Sequence, residues 1–104
     1  MSLSFTKSTQ NLEIGTSMIE TFEGTKIQES DIQRIFGTPS NDNSENKDKG
    51  YGGEWYFVAS TGSVYGVGFR FGTMRTRGKA FGLNEKEYAE FLNWLRGELV
   101  SCFK

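Results

Sequence analysis

The segment Ser63 to Phe71 carries Gly66, Gly68 and Arg70 at alternate positions. Alternate residues of an extended chain share a face, so two absent side chains leave a bare backbone floor with a guanidinium at its edge. A base or ribose can lie on such a floor with its phosphate on Arg70. The same glycines can instead make room for a packed helix or for strong sheet twist, leaving Arg70 merely exposed at a strand end. Arg75, Arg77 and Lys79 follow with one parity. If that segment is extended, the three cations project to one side and can hold a diphosphate or a cyclic phosphate; if it is a loop, they are a solvated cluster. Phe81 follows them, as a stacking surface for a planar ligand or as a core anchor at the entry to a helix. Tyr51, flanked by Gly50, Gly52 and Gly53, can serve as a lid over a ligand or simply sit in a connection.

The charge pattern singles out the same region. The chain has 13 acids and 12 bases, yet no aspartate or glutamate falls between Trp55 and Asn84. The preceding part, residues 1–54, has nine acids against five bases, so a near-neutral total conceals a dipolar chain. Such a balance does not favour duplex DNA, whose binders carry a larger basic excess. Histidine is absent, which removes the commonest general base, the commonest zinc ligand and every nucleophile activated by histidine. No phosphate-loop, dinucleotide or calcium-loop pattern is present, so neither a cofactor nor a metal is expected. The single cysteine, Cys102, has no motif around it. Its lack of a partner points to a reducing compartment. No apolar run approaches the length of a membrane span, and the expectation is a soluble cytoplasmic protein.

The elements that must position these residues are read from periodicity. The first residues, through Ile14, alternate as one or two short strands, and Thr16 to Phe22 fits either a strand or a helical turn. Ser30 to Gly37 reads as a short helix capped by Ser30 with Gln33, and ended by Gly37 and Pro39. Residues 40–53 are almost wholly polar, predicting a mobile surface loop. Glu54 to Ser60 and Ser63 to Phe71 read as a hairpin turning at Thr61-Gly62, with Tyr65, Val67, Phe69 and Phe71 on one face. Gly72 to Gly78 is a further turn or the start of a third strand. Leu83 to Leu99 predicts a helix capped by Asn84 and Glu87, with Tyr88, Phe91, Leu92, Leu95 and Leu99 as its apolar stripe. Trp94 lies off that stripe, and with Tyr56 it is a candidate for a subunit contact; equally, Trp94 can be half buried against the loop. Residues 100–104 should fray. The sum is one α+β domain over residues 1–104, a small antiparallel sheet with a short helix and a C-terminal helix packed on it.

The run DIQRIFGTP, the polar loop, GEWYFVASTGSVYGVGFRF and the closing capped helix together resemble small phage-encoded α+β proteins, over about residues 31–99. Among these the chain is similar to the Thoeris anti-defence sponges. That resemblance implies a non-catalytic homo-oligomer that sequesters a cyclic ADP-ribose type signal in the host cytoplasm; it carries over no ligand residue by position. From the residues themselves the expected partner is a nucleotide-like small molecule held by Arg70, Arg75, Arg77 and an aromatic wall. Two other partners stay open: a host protein such as a nuclease, and single-stranded nucleic acid stacked on Tyr65 or Phe71.

Overall fold

The computed structural model describes residues 3–12, 18–21, 27–79 and 85–102, with the backbone alone described at 18–21 and at Lys79. The elements in chain order are β1 (Phe5–Ser8), β2 (Met18–Thr21), α1 (Glu29–Phe36), a 3-10 helix at Ser44–Lys49, β3 (Tyr51–Ala59), β4 (Val64–Arg70), β5 (Thr73–Lys79), α2 (Glu85–Glu98) and a 3-10 turn at Val100–Cys102. The strands form one antiparallel sheet in the order β1-β3-β4-β5-β2. The fold is α+β, as the element order predicts. The ambiguous stretch at Thr16 to Phe22 supplies the edge strand β2, and the arginine-rich segment is the full strand β5. Among the described residues, no helix is long and apolar enough to cross a membrane.

Both helices lie on one face of the sheet. Trp55, Phe57 and Ala59 of β3, Tyr65, Val67 and Phe69 of β4, and Met74 of β5 pack there against Ile32 of α1 and Tyr88, Phe91, Leu92 and Leu95 of α2. The alternation of period two along each strand is what sends these residues to one side. Few residues fill the core, but they are large. Tyr65 stacks on Phe91 with ring centroids 4.9 Å apart, and Phe36 meets Phe57 edge-on at 4.9 Å. Trp55 spans the layer and donates its indole N–H to the Gly37 carbonyl at 2.9 Å, which fixes the end of α1 to the sheet.

Several local expectations are corrected. The cap of α1 is Gln28, whose N–H donates to the Asp31 carboxylate at 2.9 Å; Ser30 already lies within the helix. The β3–β4 connection is a three-residue loop, Ser60 to Gly62. Ala59 and Ser63 still pair through the Ala59 N–H, and Gly62 takes the left-handed position at φ 94°. Trp94 is half-buried, as the second of its two readings has it, but against the core rings and not the loop, with Phe5 and Phe57 each 5.2 Å away. Tyr56 is buried, at 2% exposure, so it is no exposed interface residue, and its hydroxyl accepts from Asn41. Phe71 leaves the core face in a turn and is 72% exposed. Asn84 lies outside the described residues, and the Glu87 carboxylate turns inward to accept from the Tyr65 hydroxyl at 2.6 Å and the Thr61 hydroxyl at 3.0 Å.

That buried carboxylate makes stability depend on pH. Burial pushes the Glu87 carboxyl up, but hydrogen bonds from Ser63, Tyr65 and Thr61 together outweigh it and hold it below the usual glutamate range. A folded value below the unfolded one gives a contribution that is complete above the unfolded range and lost as pH falls through the folded value. Glu87→Gln is expected to cost about 1–2 kcal/mol at neutral pH, the worth of hydrogen bonds to a buried charge. Urea titrations at pH 7 and pH 3 check this: the difference from the parent should shrink toward zero at pH 3.

Candidate anion-binding site

The face of the sheet opposite the helices carries the alternate residues of each strand. On β4 these are Gly66, Gly68 and Arg70. The register sets Gly66 between Tyr56 and Arg77, Gly68 between Glu54 and Arg75, and Arg70 between Tyr51 and Thr73. Because β5 is a strand with this register, the parity of Arg75 and Arg77 becomes a shared direction toward the glycine floor. The two-residue turn Phe71-Gly72, with positive φ at both residues (51° and 77°), locks that register, since only such a turn joins adjacent twisted strands so tightly.

Tyr51 reaches the same face by a different device. It lies three residues from Glu54, a spacing that in a regular strand puts two side chains on opposite faces. A bulge between Tyr51 and Glu54 adds one residue opposite Phe69 and restores the shared face. Gly52 and Gly53 form it in close quarters: a Cβ on Gly52 would stand 2.8 Å from the Glu29 carboxylate and displace it, and one on Gly53 would stand 2.9 Å from the Pro39 ring. The Gly53 N–H donates to that same Glu29 carboxylate at 2.6 Å, so α1 holds the bulge in place.

These residues enclose an open depression of about 260 Å³ lined by Asn43, Tyr51, Glu54, Gly68, Phe69, Arg70, Arg75 and Arg77. Of the residues expected in the site, Tyr51, Gly68, Arg70, Arg75 and Arg77 are brought together. Gly66 shares the face but lies beyond the lining and is buried, beside the buried Tyr56, so the bare floor expected there does not extend past Gly68. Lys79 ends β5 on the same parity, with only its backbone described, and Phe81 lies outside the described residues.

Two features of the site were not expected from the charge pattern. First, Arg77 has a partner: its guanidinium is ion-paired with Glu54, across the bare strand β4. Glu54 is further held by the Asn43 amide at 3.0 Å, which also donates to the Gly52 carbonyl. The glycine at 68 serves this bridge directly, because a Cβ there would come within 3.0 Å of the Glu54 side chain. The glycines make no room for the C-terminal helix, which packs on the other face; Gly68 instead admits the Glu54 side chain that pairs with Arg77. Second, the 40–53 segment is built into the site. Asn41 bridges to Glu54 in the manner of a strand residue, and Ser40 accepts from the Tyr56 N–H while donating to the Ser8 carbonyl at 2.6 Å. A 3-10 helix spans Ser44–Lys49 and ends at Gly50 in the left-handed conformation. The segment expected as a loop thus contains a helix and the first residues of β3.

Arg70 lies against aromatic rings, its guanidinium carbon 4.8 Å from the Tyr51 ring centroid and 5.6 Å from that of Phe71. This contact orients the charge without neutralising it. Arg75 is exposed, and among the described residues neither Arg70 nor Arg75 has a carboxylate within ion-pair distance. Three guanidiniums against the single carboxylate of Glu54 leave the depression positive on a chain whose net charge is −1. A second hollow, about 410 Å³ between α1 and the 3-10 helix, is lined by Glu29, Asp42 and Lys47 among others and has the opposite balance. Only the first is suited to an anion. No protein-family model, curated protein or solved structure matches the chain.

Proposed function

We propose that this protein is a non-catalytic binder that sequesters a small nucleotide-like ligand bearing one or more phosphates. The reading rests on one observation: Arg70, Arg75 and Arg77 converge on one depression with a bare backbone floor at Gly68 and an aromatic wall at Tyr51. Guanidiniums match phosphate oxygens in pairs, glycine lets a ligand approach the backbone, and an aromatic face accepts a ring. The Glu54 carboxylate adds acceptor oxygens at the far end, suited to hydroxyls, while both Asn43 amide hydrogens are engaged by Gly52 and Glu54. The ligand class agrees with the anti-defence sponge resemblance, which would place the protein in a host cytoplasm as a homo-oligomer.

Isothermal titration calorimetry with ADP, ADP-ribose isomers, cyclic dinucleotides and inorganic pyrophosphate tests the reading. Saturable binding that weakens as salt is raised is the expected result. Absence of heat and of any mobility change across the panel at millimolar ligand would overturn it. Capture of single-stranded DNA with a steep loss of affinity in salt, and none of the small ligands, would transfer the site to nucleic acid. Tyr65 would not be a platform for such a strand, because it is buried at 2% exposure under α2.

A further inference from the structure

Phe71 occupies a position that its side chain disfavours. It is the first of two residues with positive φ in the β4–β5 turn, where asparagine or glycine is preferred and a bulky residue is strained. It is also the most exposed large apolar side chain among the described residues, at 72%. A phenylalanine that is both strained and solvated does not stabilise its own turn. Its setting is nevertheless constructed. The Phe71 N–H donates to the Gly50 carbonyl at 2.7 Å, and the ring lies over Gly50, where a Cβ would come within 2.4 Å of it. Gly50 is itself left-handed at φ 86°, so two unusual backbone positions meet to seat one ring. The Arg70 guanidinium, which lines the anion site, also lies against that ring.

We infer that Phe71 is a stacking platform for the planar ring of the ligand whose phosphate is held by Arg70 and Arg75, making it a specificity-determining residue for a base-bearing anion over a bare phosphate. The inference rests on the proposed binding function. The distances suit it: Arg70 sits between Tyr51 and Phe71, so a phosphate on its guanidinium leaves an attached ring beside either aromatic face. Tyr51 is 37% exposed and leans on Arg70, whereas Phe71 has the larger free surface. The strain is then a cost kept for function, since stacking on an exposed flat ring requires the residue to face solvent before the ligand arrives. A protein partner would also use an exposed aromatic, but the adjoining guanidiniums and glycine floor favour a ligand that combines a ring with phosphate.

The test compares ADP with inorganic pyrophosphate on the parent, Phe71→Asn and Phe71→Trp. Asparagine suits the left-handed turn, so Phe71→Asn should unfold at a temperature higher by about 3 °C, a readout that a packing role would reverse. It should weaken ADP about tenfold, the loss of one base–aromatic stack, and leave pyrophosphate unchanged. Phe71→Trp should bind ADP at least as tightly as the parent. Equal ADP affinity in the parent and Phe71→Asn, with pyrophosphate still bound, would overturn this inference and leave the anion site standing. A parent that binds neither ADP nor pyrophosphate would overturn this inference; the proposed function falls with it only where the ADP-ribose isomers and cyclic dinucleotides are silent too. Binding of a protein with no effect of either small ligand on it would likewise reject the stacking role.

Discussion

Replacing Arg70 and Arg75 together by alanine is expected to weaken pyrophosphate and ADP at least about 100-fold while moving the unfolding temperature by only a few degrees. Each charge-assisted hydrogen bond to phosphate is worth about 1.5–3 kcal/mol, so two such losses reach two orders of magnitude at the low end. The fold gives up little in exchange. Arg75 is exposed, with no ion pair among the described residues, and Arg70 loses only exposed contacts with Tyr51 and Phe71, worth about 0.5–1 kcal/mol. Arg77 is left out of the variant for a physical reason. Removing it leaves the Glu54 carboxylate, only 16% exposed, with Asn43 and the Tyr56 hydroxyl as hydrogen-bond partners but no counter-charge. That would add a bare negative charge to the site and destabilise the sheet at once. Calorimetry at two salt concentrations, beside thermal unfolding of the same samples, checks the separation. An affinity unchanged in the double variant would mean that the anion is held elsewhere.

The half of this site carried by Arg70 and Arg75 was legible because a strand has a period of two. Once the turn at Phe71-Gly72 is tight, residues 66, 68, 70, 75 and 77 share a face whatever their neighbours are, and the arginines need no further information to converge. The partner of Arg77 was harder to see because it lies two strands away, immediately before the acid-free stretch. The strand register nevertheless sets Glu54 beside Gly68, so carrying the hairpin one step further would have shown an acid at the end of the bare floor. Tyr51 was placed near the ligand for its glycines, but the bulge that turns it to the correct face depends on Glu29 and Pro39, which no local pattern connects to it. Composition misled at residues 40–53. The segment has almost nothing apolar to bury, yet Ser40, Asn41 and Asn43 tie it to β1 and β3 through hydrogen bonds, which hydrophobic patterning does not register. The two readings of Trp94 stayed open because its place off the apolar stripe does not show that an indole is long enough to reach the core from the side.

The acid-free stretch therefore contains two different reasons for lacking acids. Toward the helices it is core, where Trp55, Phe57 and Tyr65 exclude charge because burial of an unpaired carboxylate is costly. Toward the open face it keeps cations from being cancelled, and the one acid admitted there, Glu54, is assigned to Arg77 by the register. The strand β5 belongs to both, with Arg75 and Arg77 on the open side and Met74, Thr76 and Gly78 on the core side. A change on its buried side is thus transmitted to the arginine side through the backbone that both share.

Gly78→Ala is expected to have the largest effect on stability of any single methyl group added to the described strands. A Cβ at this position would stand 2.5 Å from one ring carbon of Tyr65 and 2.6 Å from the next, with Tyr88 at 3.3 Å. The Tyr65 ring has no room to yield. Its hydroxyl is fixed by Glu87 at 2.6 Å, and its faces meet Phe91 at 4.9 Å and Tyr88 at 6.0 Å. Tyr88 is in turn bonded through its hydroxyl to Thr76 of the same strand at 2.6 Å. The added methyl must push β5 away from α2 or break the Tyr65–Glu87 bond, and overpacking of this kind costs about 3 kcal/mol. For a chain of this length that loss corresponds to a fall of about 15 °C in the unfolding temperature. Displacement of β5 also moves Arg75 and Arg77, so any surviving folded protein should bind pyrophosphate more weakly than the parent. Differential scanning calorimetry, followed by titration below the new transition, separates the two effects. A variant that unfolds within about 3 °C of the parent would show that the Tyr65 ring can shift, and that close packing against it does not require a glycine in the middle of the sheet.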